Sequence, residues 1–596
     1  MNITVLETSG SRSFAAKDHQ NLLSALRENG VAIDAPCSGT GKCGKCRVVV
    51  SGAVSALSDA EKQLLTQEER LSGVRLACQT YPQGDCVVRL LNAMHAGNAE
   101  VRTDGRMGAL TFSPKVSLHM VHCQAPTLAN QIPDEENVMR AAEGVERLSS
   151  AVCRHLPQRL RENEYTVQLL VRDNIGFALR RTQDSLVLGL AVDIGTTTVA
   201  AYLYDLLTGK RLGIRSGLNA QRSYGADVIS RISAAMEDGL QPLQTAIVGQ
   251  LNSWIESFCK ELGAVPEDIC DVTIAGNTTM LHLLAGYDPR NIAGAPFIPA
   301  SAFGTTIPAV ELGLHTCVDT EVYLGPCVSG YVGGDITLGM ISAGATDTEN
   351  LCLYLDIGTN GEMAAGTKDG YVFCATAAGP AFEGAEIRYG TGGVPGAISR
   401  VYLQPDGDIG YETIGDEKPV GICGSGLIDA VRVMLELEVL DETGRICEQD
   451  EAPESVKHRL EEKDEPSFIL DIETGIAITQ QDIRELQLAK AAIAAGIRTL
   501  LDTYGATVDQ VDSLKLAGGF GSYIDAVSAC AIGLLPKELL DRIEVVGNAA
   551  GAGASMALLD QEARDRAATL RQKGRYVELS GNATFQNAYI EEMCFE

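Results

Sequence analysis

Residues 2–7 alternate apolar and polar side chains as a half-buried strand does, and residues 21–29 set Leu22, Leu23 and Leu26 at helical spacing ahead of Gly30. Strand patterns return at 47–50 and 85–90, so the first ninety residues read as strands around one helix. From 92 to 106 the periodicity lapses into Ala, Gly and charge, the pattern of a linker. Residues 107–185 then mix a strand pattern at 115–122 with a helical one at 135–147 and carry no chemical motif. Beyond them, two apolar runs end alike: Leu-Gly-Leu-Ala-Val-Asp-Ile-Gly-Thr-Thr-Thr at 188–198 and Leu-Cys-Leu-Tyr-Leu-Asp-Ile-Gly-Thr-Asn-Gly at 351–361. Such runs, closed by a Gly turn, are the pattern of buried strands. A third, at 514–517, runs into Gly-Gly-Phe-Gly-Ser.

At 596 residues the chain has room for about three to four domains. Hydrophobic residues at 45% and charged residues at 21% are globular values, which excludes disorder, collagen and coiled coil. The 78 acidic residues against 48 basic ones give a formal charge of −30, a repulsive average field for a polyanion. Nucleic acid and anionic membrane are therefore not expected as partners. Residues 436–465 concentrate acid, including Glu461, Glu462, Asp464 and Glu465, without clear periodicity, and read as a solvated surface insertion. The first residues lack a basic signal-peptide region, and no run reaches the ~18 apolar residues of a membrane helix. Seventeen cysteines, an odd number, suit free thiols and metal ligands in a reducing cytoplasm better than a disulfide scaffold. A soluble, cytoplasmic protein is expected.

Cys37, Cys43, Cys46 and Cys78 form a C-x5-C-x2-C loop with a distant fourth thiol. Structural zinc favours two close pairs, whereas three ligands here share one Gly-rich loop. That asymmetry favours a [2Fe–2S] cluster, with Gly39, Gly41 and Gly44 letting backbone amides approach the sulfides. Zinc and inert thiols are the rival readings. Residues 1–92 resemble the [2Fe–2S] ferredoxin domain, a β-grasp fold, with five residues between the first two cysteines as in the adrenodoxin-like variant. Cys86 falls outside the quartet and reads as a core thiol.

In each of the two repeats a carboxylate emerges at a tight turn whose amides and hydroxyls can cradle phosphate: Asp193 with Gly195, Thr196 and Thr197, and Asp356 with Gly358, Thr359 and Asn360. Placed across a cleft, Asp193 and Asp356 would serve a phosphate-bound Mg²⁺, which keeps its waters and needs only one or two carboxylates. Gly518 and Gly519 leave space for adenine or ribose. Together these segments resemble the nucleotide sites of the acetate and sugar kinase, heat-shock chaperone and actin superfamily over residues 186–596. The resemblance implies ATP and two ribonuclease-H-like lobes, 186–350 and 351–596. No Walker motif occurs.

Further segments at 275–282, 331–336, 379–384 and 422–427, the last containing Gly424, sharpen that match. Joined to the N-terminal ferredoxin, they resemble the reductive activators of corrinoid-dependent enzymes. The resemblance implies an α/β multidomain chain: a ferredoxin domain at 1–92, a linker at 93–106, a small α+β middle domain at 107–185 and an actin-type ATPase at 186–596. It further implies that the cluster passes one electron to a corrinoid protein of a methyltransferase system whose cobalt has slipped from Co(I) to Co(II). ATP supports that uphill step. An external low-potential donor of ferredoxin or flavodoxin type is expected to refill the cluster, and a homodimer is left open. Asp335 and Glu383 are candidates for orienting water or metal. His282, in an apolar helix-like run, reads as a satisfied core residue. Cys327, Cys352, Cys374 and Cys423 lack a C-x2-C pair and suggest no second cluster. The rival reading is a small-molecule kinase of the same superfamily with a redox-sensing ferredoxin domain.

Overall fold

The computed structural model describes every residue except 8–9, 18, 30, 32, 34, 36–38, 40, 42–43, 92–104, 181–185, 238, 385, 462–464, 522 and 596. Most of the expected linker, and both Cys37 and Cys43, lie outside the described residues.

The N-terminal domain is a five-stranded sheet in the order Gly10–Ala15, Asn2–Glu7, Pro82–Leu90, Arg47–Val54, Val74–Leu76. The first and last long strands run parallel, which requires the crossover made by the helix Leu22–Glu28. Asn21 caps that helix by accepting from the Ser24 amide at 2.8 Å, and Leu22, Leu23, Ala25 and Leu26 go into the core. This is the β-grasp arrangement. Cys86 is buried on Pro82–Leu90, as a core thiol should be, and burial pushes its pKa up.

Residues 105–180 hold a four-stranded sheet, Ser117–His122, Thr166–Arg172, Ile175–Leu179 and Arg147–Leu148, with the helices Asp134–Ala141 and Ser150–Glu162. The helical pattern at 135–147 overshoots. Val138, Ala142 and Val145 keep helical spacing and are buried, but the chain turns left-handed at Gly144 (φ +78°), and Arg147–Leu148 is already a strand. The unit packs on the ATPase-like body: Arg172 donates to the carbonyls of Asp319 (2.5 Å) and Cys270 (3.5 Å), and Val116, Leu170 and Phe177 share a buried cluster with Ala191, Ala200 and Tyr202.

Two six-stranded sheets, alike in the connectivity of five of their strands, dominate the remainder, beside two three-stranded sheets. In the first, Leu188–Ile194 pairs antiparallel with Thr198–Asp205, which pairs with Arg211–Leu218; on its other side come Ile269–Gly276 and Glu321–Leu324, both parallel. In the second, Cys352–Ile357 pairs with Gly361–Thr367 and then Gly370–Thr376, and on its other side with Ser513–Ala517 and Ile543–Gly547. Third, second, first, fourth, fifth is the ribonuclease-H-like order in both. The helices Gly334–Ser342 and Ala549–Leu559, one following the fifth strand of each sheet, cross face to face.

Residues 436–465 are not a detached insertion. Val439, Leu440, Ile446, Val456 and Leu460 are buried in the second sheet's core, and Arg459 grips Asp408 with both prongs of its fork (2.5 and 2.9 Å). The apolar anchors are too irregularly spaced to show as a period, so the acid between them dominated the pattern. No helix among the described residues is long and apolar enough to cross a membrane.

Candidate functional site

The cysteine site is built from both ends of the first domain. Cys46 leads directly into Arg47–Val54, while Cys78 lies in a short 3-10 turn after Val74–Leu76. Their Sγ atoms are 3.4 Å apart and both are buried. A disulfide would need ~2.05 Å, whereas two thiolates on one tetrahedral ion at ~2.3 Å lie close to ~3.8 Å apart. Gly39, Gly41 and Gly44 all take positive φ (+90°, +78°, +65°), so the loop curls where a side chain would resist it. The Cys78 arm is held by a pair that the sequence reading missed. Arg75 forks onto Glu61 at 2.7 and 3.0 Å, and the Leu76 amide donates to the same carboxylate at 3.0 Å. Burial pushes the Glu61 pKa up, but these bonds and one from the Ser58 amide outweigh it and the net shift is downward.

In the larger body, Asp193, Asp335 and Asp356 meet at one cleft. Asp193 and Asp356 are the penultimate residues of Leu188–Ile194 and Cys352–Ile357, and Asp335 stands in the first turn of Gly334–Ser342. All three are half-buried. Burial comes first in raising each pKa. Asp193 rises to about 7 with help from Asp335 and against a bond from Asn548. Asp356 rises to about 8 with Asp335 and Asp193 adding. Asp335 rises to about 6 against bonds from the Ile336 amide and its own. Glu362 joins them, driven well above its ordinary value by burial and by the charges of Asp335 and Asp356. It lies directly across the hairpin from Asp356. Among the described residues none of the four pairs with a basic side chain, so the cleft is a place for a cation. No three His, Cys, Asp or Glu side chains converge as a ready cage among the described residues, which suits an ion that keeps its waters and arrives on a phosphate.

The two turns differ in detail. The first spans four residues between paired Ile194 and Val199; the second spans three between Ile357 and Gly361. Asn277 donates to Thr196 Oγ1 at 2.9 Å, Asn219 to the Gly195 carbonyl at 2.8 Å, and Arg231 to the Thr196 carbonyl. Thr197 completes the turn, its carbonyl accepting from the Asn219 amide at 2.9 Å. In the second turn, the Gly358 amide donates to the Asn360 carbonyl at 2.9 Å, Thr359 Oγ1 donates to Glu383 at 2.6 Å, and the Asn360 side chain bonds Glu362. Gly518 (φ +94°) presses on this floor, since a Cβ there would meet Asp356 Oδ1 at 2.5 Å. Gly519 is exposed beside it, and Gly424 opens the helix Gly424–Glu436 against the Phe382 carbonyl and Phe520 ring.

His282 is satisfied at both nitrogens, Nδ1 donating to the Thr278 carbonyl at 2.6 Å and Nε2 accepting from the Ser301 amide at 3.2 Å, and burial lowers its pKa. Cys327, Cys352, Cys374 and Cys423 are buried singly; burial lifts Cys327 to about 12 and pushes Cys352 and Cys374 up. Sequence reasoning also missed Glu362, Asn548, Asn219 and Arg231. Glu362 could have been found by counting the hairpin register outward from Gly358. The others come from distant segments and leave no local signal.

Four family descriptions match the chain in order: a 2Fe-2S iron-sulfur cluster binding domain over 6–83, the RACo linker region over 106–181, the RACo middle region over 188–348, and the C-terminal ASKHA domain of RACo over 350–596. The corrinoid activation enzyme RamQ of Eubacterium limosum is 30% identical over 586 residues, covering 95% of this chain and 94% of its own. The Co(II) methylated amine-specific corrinoid protein reductase of Methanosarcina barkeri is 24% identical over 441 residues, 68% of this chain and 77% of its own. A solved structure described as a reductive activator for corrinoid, iron-sulfur protein is 34% identical, with a TM-score of 0.72 over 100% of this chain and 98% of that one. With that likeness running along nearly its whole length, the chain belongs to the RACo family, which joins a [2Fe–2S] domain to an ASKHA domain.

Proposed function

We propose that this chain reactivates a corrinoid protein by delivering one electron to its Co(II) and returning it to Co(I), with ATP hydrolysis biasing the transfer. The observation that carries the reading is the union, in one chain, of paired cluster thiols and an uncompensated acidic cleft between two ribonuclease-H-like sheets. When bound, the cluster supplies the electron and Mg·ATP the free energy. A plant-type [2Fe–2S] couple sits near about −400 mV, and a one-electron shortfall of ~130 mV amounts to ~3 kcal/mol, within reach of differential binding between two conformations.

Cys37, Cys43, Cys46 and Cys78 hold the cluster. Asp193 and Asp356 would hold Mg²⁺, while Thr196, Thr197, Thr359 and Asn360 would contact the phosphates and Gly195 and Gly358 would keep the turns tight. Gly518, Gly519 and Gly424 leave space for the nucleoside. Asp335 orients the attacking water, and Glu383, through its bond from Thr359, fixes the second turn. An external ferredoxin or flavodoxin refills the cluster, and the work takes place in the cytoplasm.

The visible spectrum of a Co(II) corrinoid protein, mixed with this chain, ATP and a low-potential reductant unable to reduce it alone, tests the reading. Co(I) should form only with ATP present, alongside ADP and inorganic phosphate. Equal Co(I) without ATP overturns the coupling, and a phosphorylated small molecule as product would favour the kinase reading.

A further inference from the structure

Behind the first turn lies Arg231, one of the largest fully buried side chains, with no exposed surface. It projects from the helix Val228–Glu237, against whose first turn Gly225 packs so closely that a Cβ there would meet the Arg231 amide nitrogen at 2.9 Å. Among the described residues every acceptor of the guanidinium is neutral: Nε donates to the Gly225 carbonyl at 3.0 Å, Nη1 to Met280 Sδ at 2.9 Å, and Nη2 to the Thr196 carbonyl. Among the described residues it has no ion pair. Asp227, whose charge acts on it, accepts from the Ser230 amide at 2.8 Å instead. Burial, with Arg222 adding, lowers the Arg231 pKa to about 9. A buried cation without a direct ion-pair partner is costly, and the fold retains it.

The peptide geometry says what it is for. In a trans peptide the C=O and N–H point in opposite directions. The carbonyls of Gly195 and Thr196 are drawn toward the interior by Asn219 and Arg231. The amides of Thr196 and Thr197 therefore face away from it, and neither has a protein acceptor among the described residues. Two such amides make an anion-binding concavity.

We propose that Arg231 is a positioning residue for the nucleotide's phosphates: it fixes the Thr196 carbonyl so that these amides face the phosphate, and its unpaired charge is answered by that phosphate across the turn. The inference rests on reading 195–197 as a phosphate turn, and it predicts selection for a polyphosphate over the bare nucleoside.

Competition against a fluorescent ATP analogue on the cluster-loaded full chain would give affinities for ATP and adenosine. Arg231→Gln and Arg231→Met should weaken ATP about tenfold or more while adenosine changes less than about twofold. Arg231→Lys, which keeps the charge, should retain most of the preference for ATP. Parallel losses of ATP and adenosine would mark a merely structural role and overturn the proposal, as would wild-type ATP affinity in Arg231→Met. If the Met variant does not fold, Arg231→Gln, which keeps a donor for Thr196 but no charge, decides by the same criteria. Asp193→Asn separates the two readings: unchanged Mg·ATP turnover there sinks the phosphate turn itself, whereas lost turnover there beside unchanged affinities at Arg231 sinks only the role given to Arg231.

Discussion

Glu61 in the cluster domain and Glu362 in the acidic cleft are both pushed upward in pKa by burial, yet they end on opposite sides of the ordinary value. Glu61 is met by an arginine fork and two backbone amides and stays ionised. Glu362 is met by Asp356 across the strand and by Asp335, and is driven toward its neutral form. The partners, not the depth, decide which acid holds a fold together and which is poised to receive a cation.

The largest effect expected from breaking this contrast is at Glu61. Glu61→Gln leaves the Arg75 guanidinium without its carboxylate and should cost about 3 kcal/mol, read as a lower urea midpoint and earlier loss of cluster absorbance. Next comes Asp193→Asn, which should lower ATP hydrolysis by roughly 10²-fold, about 2.7 kcal/mol in barrier, with cluster absorbance unchanged. Glu362→Gln acts the other way: removing an acid that folding beside Asp356 and Asp335 drives toward its neutral form should stabilise the nucleotide-free protein by about 1 kcal/mol, seen as a raised Tm. The smallest effect is the pH profile. With Asp335, Asp193 and Asp356 lifted to about 6, 7 and 8, the native state holds protons that the unfolded chain has released, so Tm of the nucleotide-free protein should fall as pH rises through that window. Glu362→Gln should flatten the fall. The Glu61 contribution has the opposite sign: complete above the ordinary 4.5, it drains away as pH drops through the lower folded value, and Glu61→Gln should remove that acid limb.

What was legible beforehand was local. The paired Asp-Ile-Gly-Thr runs and the cysteine loop announce themselves because strand, turn and ligand are contiguous, and the resemblance those runs carry implied two ribonuclease-H-like lobes. What was illegible depends on register or on distant segments. Glu362 matters because it is paired with Asp356 across a hairpin. Asn548 reaches Asp193 from the start of a helix more than half the chain away. The helix expected at 135–147 stops at Ala141: Ala142 is already extended and Gly144 turns left-handed, although the apolar spacing persists. The acidic stretch at 436–465 misled because its buried anchors follow no period.

The crossing of Gly334–Ser342 with Ala549–Leu559 has one more consequence. Gly553 lies so close to the Leu338 carbonyl, and Gly339 to the Tyr354 hydroxyl, that neither position has space for even a methyl group. Where helices meet through long side chains, rotamer changes absorb small displacements before the backbone moves. At Gly553 the meeting is backbone to backbone, and there that slack is missing. A tilt of one sheet is passed to the other almost undamped, so the crossing works as a stiff bearing rather than a cushion. Alanine, elsewhere the mildest of replacements, would be among the harshest at Gly553.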